Sequence, residues 1–315
     1  MILDIILLVV GFVFLIKGAD IFVDGASSTA QNFKVPKMLI GLTIVAFGTS
    51  APEFAVSMSA LANGKTDMVL GNVIGSNILN ILLILGIAAV IKPVKVKDDT
   101  VKKELPLTLL VSTLLVVVFL DVKLANQLSN QVTRSDGIVL LLFFSIFIYY
   151  LITLALQKSD KVEKPMFKIG QSIFLVVVGL MAIIAGSNMV VNSASSIAKL
   201  LGISERVISL SIIAFGTSLP ELVTTIVSSK KGEQDLLVGN IIGSNIFNIC
   251  IVLGVPVSIY GTITPISFNV IDLIMLILSA LIIYIFSCTK KTVSKTEGVI
   301  MLFLFIIYYI LVFVV

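Results

Sequence analysis

Two glutamates, Glu53 and Glu221, sit in otherwise apolar stretches, each directly after a proline and four residues after a threonine. The first closes Gly48-Thr49-Ser50-Ala51-Pro52-Glu53, and the second closes Gly216-Thr217-Ser218-Leu219-Pro220-Glu221. On a helix, Thr49, Ser50 and Glu53 stand at i, i+1 and i+4, so two hydroxyls and a carboxylate gather near one turn. A second pattern follows each glutamate: Asn72, Ser76 and Asn80 with Gly71 and Gly75, then Asn240, Ser244 and Asn248 with Gly239 and Gly243. Spacings of four and eight put each trio on one helical face. These side chains offer hydroxyl, amide and carboxylate oxygen, with no thiolate or imidazole among them. That donor set selects hard cations such as Ca2+ and Na+.

The prolines explain how such groups can be held in an apolar helix. Pro52 has no amide hydrogen, so the carbonyl of Gly48 loses its helical donor, and Pro220 does the same to Gly216. In a bilayer a freed carbonyl is tolerated only where it is buried in protein or lines a cavity. The two stretches are therefore expected to be discontinuous helices. The Gly-x-x-x-Gly spacings are expected to let neighbouring backbones approach closely. Two adjacent carboxylates repel one another unless cations or protons intervene, which is the ingredient of obligatory exchange.

The elements that must position these groups are membrane helices. Hydrophobic residues make up 58% of the 315-residue chain and charged residues 13%, against about 25% charged in a soluble domain. Hydropathy and breakers predict ten spans, at about 2–24, 38–62, 68–91, 105–122, 137–157, 169–191, 206–229, 236–258, 269–288 and 298–315. Small polar runs, Gly25 to Ala30 and Asn192 to Ala198, are expected to lengthen the first and sixth. The apolar amino terminus lacks a basic leader or a cleavage site and reads as a retained helix. Residues 46–86 align without a gap on 214–254 at an offset of 168, with 20 identities in 41 positions. The expected fold class is thus an all-α membrane protein of ten transmembrane helices, built as two inverted five-helix repeats. Residues 1–157 form the first repeat, 158–168 a cytoplasmic linker and 169–315 the second repeat. Inversion would bring Glu53 and Glu221 to one depth.

Charge placement gives an orientation. Connections after the odd-numbered helices hold 16 Lys and Arg, the opposite set with both termini holds 5, and Lys17 lies inside the first helix. The positive-inside rule then puts both termini outside the cytoplasmic membrane. The lysines are explained by topology, so no nucleic-acid partner is expected. Cys250 and Cys288 read as small apolar residues, and the absence of histidine excludes zinc-hydrolase motifs and Ser-His-Asp triads. No enzyme chemistry and no cofactor are expected.

The paired GTS(A/L)PE and GN(V/I)IGSN motifs resemble the two alpha repeats of the cation/calcium exchanger superfamily, most closely the prokaryotic sodium/calcium exchangers. The resemblance covers essentially the whole chain. It implies a ten-helix antiporter in which the second, third, seventh and eighth helices coordinate ions while the first and sixth slide across them. The implied metal ligands are the Ala46 carbonyl, Thr49, Ser50, Glu53, Ser76 and Asn80, with the Ala214 carbonyl, Thr217, Ser218, Glu221, Ser244 and Asn248. Some relatives carry aspartate at one of the positions of Asn80 and Asn248, whereas this chain has an amide at both.

The expected function is exchange of Na+ for Ca2+ by a monomer whose partners are small cations and the lipid bilayer. Proton/calcium antiport through the same glutamates and a passive cation channel are the competing readings. Against a purely structural role, Lys17 is the sole intramembrane cation and cannot neutralise both glutamates. Asn72 and Asn240 read equally as ligands or as interhelical glue, and Asn77 and Asn245, turned by about 100°, as structural. Asp20 is expected to pair locally with Lys17, and Asp272 to reach the interface.

Overall fold

Main-chain polarity inside a bilayer has to be satisfied within the chain, and helices do this segment by segment. The computed structural model describes residues 2–120, 130–156, 164–202, 214–264 and 270–314. Its first half contains α1 (Ile2–Phe33), α2 (Lys37–Thr49), α3 (Ala51–Ala62), α4 (Thr66–Ile91), α5 (Leu105–Phe119) and α6 (Arg134–Leu156). The second contains α7 (Ile169–Leu200), α8 (Ala214–Thr217), α9 (Leu219–Lys231), α10 (Gln234–Tyr260), α11 (Val270–Lys290) and α12 (Lys295–Val314).

Among the described residues, seven helices are long and apolar enough to cross a membrane, and α2 with α3, bent by 45° at their break, makes an eighth. The two other expected spans, 105–122 and 206–229, run partly outside the described residues. Large apolar side chains face outward, such as Ile2 at 74% exposure, Leu156 at 77% and Phe303 at 61%. Such a surface suits lipid rather than water. The chain is an all-helical, multi-pass membrane protein.

The chain divides into two compact units, Met1–Pro52 with Leu154–Asn240, and Glu53–Thr153 with Ile241–Val315. In the first, α1 and α7 run antiparallel along a stripe of glycines at heptad spacing. A Cβ at Gly18 would lie 3.0 Å from the Gly179 carbonyl, one at Gly179 would lie 2.8 Å from the Gly18 carbonyl, and one at Gly186 would lie 2.7 Å from the Gly11 carbonyl. Bare backbone therefore meets bare backbone, and Leu15, Ala19, Phe22, Ile183 and Val190 fill the flanks. Both helices continue through their small polar runs, as expected, to Phe33 and Leu200. Asp20 does not rely on Lys17: Lys231 Nζ lies 2.7 Å from Asp20 Oδ1 and 2.6 Å from Asp24 Oδ1. Glu233, at the α9–α10 turn, accepts from Ser27 Oγ at 2.9 Å and pairs with Lys37 at 2.9 Å.

In the second unit the repeat is visible in hydrogen bonds. Thr133 and Asp136 cap the start of α6, with Asp136 Oδ2 accepting from the Thr133 amide at 2.8 Å, and Ser294 and Glu297 cap α12 in the same way at 2.7 Å. Glu104 accepts from the Tyr150 hydroxyl, and Asp272, 168 positions on, accepts from the Tyr308 hydroxyl at 2.7 Å. Asp272 thus has a bonding partner within the protein. Short strands β1 (Val94–Lys95) and β2 (Thr292–Val293) pair antiparallel. Beside them, the Lys291 hydrogen bond holds the exposed Asp98 carboxyl below its ordinary pKa. That bond is intact above the ordinary carboxylate range and opens as pH falls through the lowered value.

The α1–α7 contact predicts that Gly179→Val, which must displace main chain at Phe22 and Gly18, destabilises the protein by about 1–3 kcal/mol or more. Thermal unfolding in detergent should show a clear drop for Gly179→Val and none for Gly170→Ala, whose added carbon meets nothing within 4 Å among the described residues.

Candidate functional site

Both glutamate motifs break where the prolines require it, and the break moves proline into a new first turn. Ser50 (φ −84°, ψ 6°) and Ser218 (φ −91°, ψ 6°) stand at the breaks, and α3 and α9 restart at Ala51 and Leu219. Pro52 and Pro220 are therefore second residues of helices, where a missing amide hydrogen costs little, rather than interior kinks. Glu53 and Glu221 become third residues, in a helical first turn, where the helix dipole favours negative charge. The carbonyl freed by Pro220 is not left bare: Ser187 Oγ donates to the Gly216 carbonyl at 2.8 Å. The aligned residue in the first half is Ala19, which has no hydroxyl.

In the first unit, Ser50 Oγ donates to Glu221 Oε1 at 2.8 Å. Thr49 Oγ1 donates to Asn240 Oδ1 at 3.1 Å, and Asn240 Nδ2 reaches Thr225 Oγ1 at 3.4 Å. Thr49 and Ser50 are fully buried, and Ser218 and Glu221 are 1% exposed. The Ala46 carbonyl accepts from the Ser50 amide at 3.0 Å and, more weakly, from Thr49 Oγ1 at 3.4 Å. Thr217 is half-buried, and Ala214 opens the four-residue α8.

In the second unit, Asn72 Nδ2 donates to the Glu53 carbonyl at 3.0 Å and lies 2.9 Å from Ser57 Oγ. This matches the bond between Asn240 and Thr225, since both pairs are related by the offset of 168. Asn72 and Asn240 are thus interhelical fasteners. Ser57 and Thr225 escaped the sequence reading, although aligned hydroxyls fifteen residues before aligned asparagines were a usable signal. Ser76, Asn80, Ser244 and Asn248 are all buried, and the chain widens into π-helical turns at Leu79–Leu85 and Asn248–Leu253. Wide turns of this kind recur at functional positions.

The glycine expectation is met at Gly239, while the segment that the offset of 168 would set against Gly71, 206–210, lies outside the described residues. A Cβ at Gly239 would meet the Met38 carbonyl at 2.8 Å, whereas Gly71 and Gly75 meet nothing within 4 Å among the described residues.

Polar atoms in these clusters remain unmatched. Asn80 Oδ1, Ser244 Oγ and both amide atoms of Asn248 are buried with no hydrogen-bond partner among the described residues. Each such atom costs about 1–3 kcal/mol if nothing pairs with it. Among the described residues, no three His, Cys, Asp or Glu side chains converge. Hydroxyls, amides and single carboxylates are what the helices present, and this chemistry fits alkali and alkaline-earth cations rather than transition metals.

Comparison with known proteins places this geometry. The family profile for sodium/calcium exchanger protein matches residues 3–153 and 171–314. The chain is 39% identical over 312 residues to inner membrane protein YrbG of Escherichia coli K12, across 95% of this chain and 93% of that one. It is 32% identical over 353 residues to the sodium/calcium exchanger MaX1 of Methanosarcina acetivorans, across 98% of each. A solved structure of the sodium-calcium exchanger NCX_Mj, soaked with 2.5 mM Na+ and 0.1 mM Ca2+, matches with a TM-score of 0.84 and 32% identity, across 98% of this chain and 97% of that one.

The helix break itself is testable. Ser187→Ala strips the Gly216 carbonyl of its hydroxyl donor and should lower stability by about 1–3 kcal/mol. Thermal unfolding of the purified variant measures this, and an unchanged midpoint would show that the bond does not support the break.

Proposed function

The chain belongs to the sodium/calcium exchanger family, and from that premise we propose that it is a secondary active antiporter exchanging Na+ for Ca2+ across the cytoplasmic membrane by alternating access. The observation that carries this reading is the set of buried, unmatched oxygen atoms at Asn80, Ser244 and Asn248. All three are residues that the motifs nominate as ligands. Bound cation satisfies Asn80 Oδ1, Ser244 Oγ and Asn248 Oδ1 at once, which no apolar or anionic cargo does.

The proposed ligands are Thr49, Ser50, Glu53, Ser76, Asn80, Thr217, Ser218, Glu221, Ser244 and Asn248, with the carbonyls of Ala46 and Ala214. The two glutamates supply the negative charge, and each is favoured by the first-turn amides of its own helix. Because the same carboxylates serve both ions, Na+ and Ca2+ compete and cross in turn. Ten spans arranged as two inverted repeats, with both termini outside, complete the reading. The duplicated motifs and the unequal distribution of lysine support that arrangement.

The test is labelled-calcium uptake into proteoliposomes loaded with Na+ and diluted into choline buffer, beside a matched pH-gradient arm. Uptake driven by the Na+ gradient alone is expected. Glu53→Gln and Glu221→Gln should each reduce it by about ten-fold or more, the scale of losing one charged partner. Uptake driven only by the pH gradient would move the assignment to proton/calcium antiport. Uptake with neither gradient would make the protein a channel.

A further inference from the structure

Asn77, Asn80, Asn245 and Asn248 all belong to the second unit, two on α4 and two on α10, and none is more than 1% exposed. The 168-residue offset maps Asn77 onto Asn245 and Asn80 onto Asn248. Asn80 Nδ2 donates to Asn245 Oδ1 at 3.0 Å. Its counterpart under the offset would run from Asn248 Nδ2 to Asn77 Oδ1. That bond is open: both amide atoms of Asn248, and Asn77 Oδ1, lack a hydrogen-bond partner among the described residues. The chain makes one of two equivalent amide bridges.

An asparagine ligand carries a problem that a carboxylate does not. Its oxygen binds a cation and its nitrogen, a donor, repels one, yet the two ends have nearly the same shape. Packing alone cannot choose between them, but a bond that uses the nitrogen can. With Nδ2 held on Asn245, Asn80 is left with its oxygen unmatched. The holding residues are themselves fixed. Asn77 Nδ2 donates to the Val73 carbonyl at 2.7 Å, and Asn245 Nδ2 lies 3.5 Å from the Asn77 carbonyl, so each presents Oδ1 as an acceptor.

We propose that Asn245 and Asn77 are positioning residues that turn the ligand asparagine of the opposite motif oxygen-first toward the transported cation. Asn245 aims Asn80, and Asn77 aims Asn248 once the Asn248 oxygen has taken an ion. The inference rests on the reading of Asn80 and Asn248 as cargo ligands.

The experiment is the calcium dependence of Na+-driven uptake in proteoliposomes. Asn245→Ala and Asn77→Ala should each raise the KM for calcium roughly ten-fold, the effect of about one lost hydrogen bond, with a smaller change in maximal rate. In an Asn80→Asp background no wrong end exists, because both carboxylate oxygens accept. There, adding Asn245→Ala should shift KM by less than about two-fold. Asn245→Asp keeps the accepting oxygen and should hold calcium no more weakly than the unmutated chain, which tests the idea even where the alanine variant fails to fold. An unchanged KM in Asn245→Ala, an equal rise in both backgrounds, or an Asn245→Asp variant as weak as the alanine one would each overturn the proposal. Absence of uptake by the unmutated chain would overturn the transport reading and this inference with it.

Discussion

Pro220 removes one amide hydrogen from a buried helix, and the second motif is arranged around that loss. The freed carbonyl of Gly216 takes the Ser187 hydroxyl, the helix restarts at Leu219, and Glu221 is placed in its first turn. A helix start inside an apolar layer is a source of unpaired amides, and a carboxylate is the side chain best suited to lie beside them. Pro52 and Glu53 repeat the arrangement with a 45° bend. The same covalent device thus breaks the helix and sets a glutamate in the first turn of the next one, where negative charge is favoured.

The remaining polar groups divide by whether protein completes them. Asn72 and Asn240 are used in joining helices, to Ser57 and Thr225 respectively. Asn80, Ser244 and Asn248 are not completed in this way. Against the completed caps of α6 and α12, three residues that the motifs nominate as ligands keep buried atoms with no hydrogen-bond partner among the described residues. The functional reading follows from this contrast more than from any one distance.

Much of this was written in the sequence because it is local or duplicated. Ser-x-Pro-Glu after glycine specifies a helix restart whatever surrounds it, and small polar residues let α1 and α7 run past the apolar stretch to Phe33 and Leu200. What escaped depends on approach across the chain. Lys231 meets Asp20 and Asp24 over more than 200 residues, so the nearer Lys17 looked the better partner. Asp272 and Tyr308 meet only because α11 packs near α12. The π-helical turns at Asn80 and Asn248 have no compositional signal at all. The glycine stripe of α1 was readable as a heptad but was eclipsed by the motifs.

The most direct measurement of the central claim, that these buried oxygens complete themselves with cations, is ion-dependent thermal stability of the purified protein in detergent. Calcium should raise the unfolding temperature saturably, since a ligand that binds the folded state alone stabilises it. Sodium should displace that titration to higher calcium concentration. A calcium effect no larger than that of magnesium, or a calcium titration unmoved by sodium, would contradict the account.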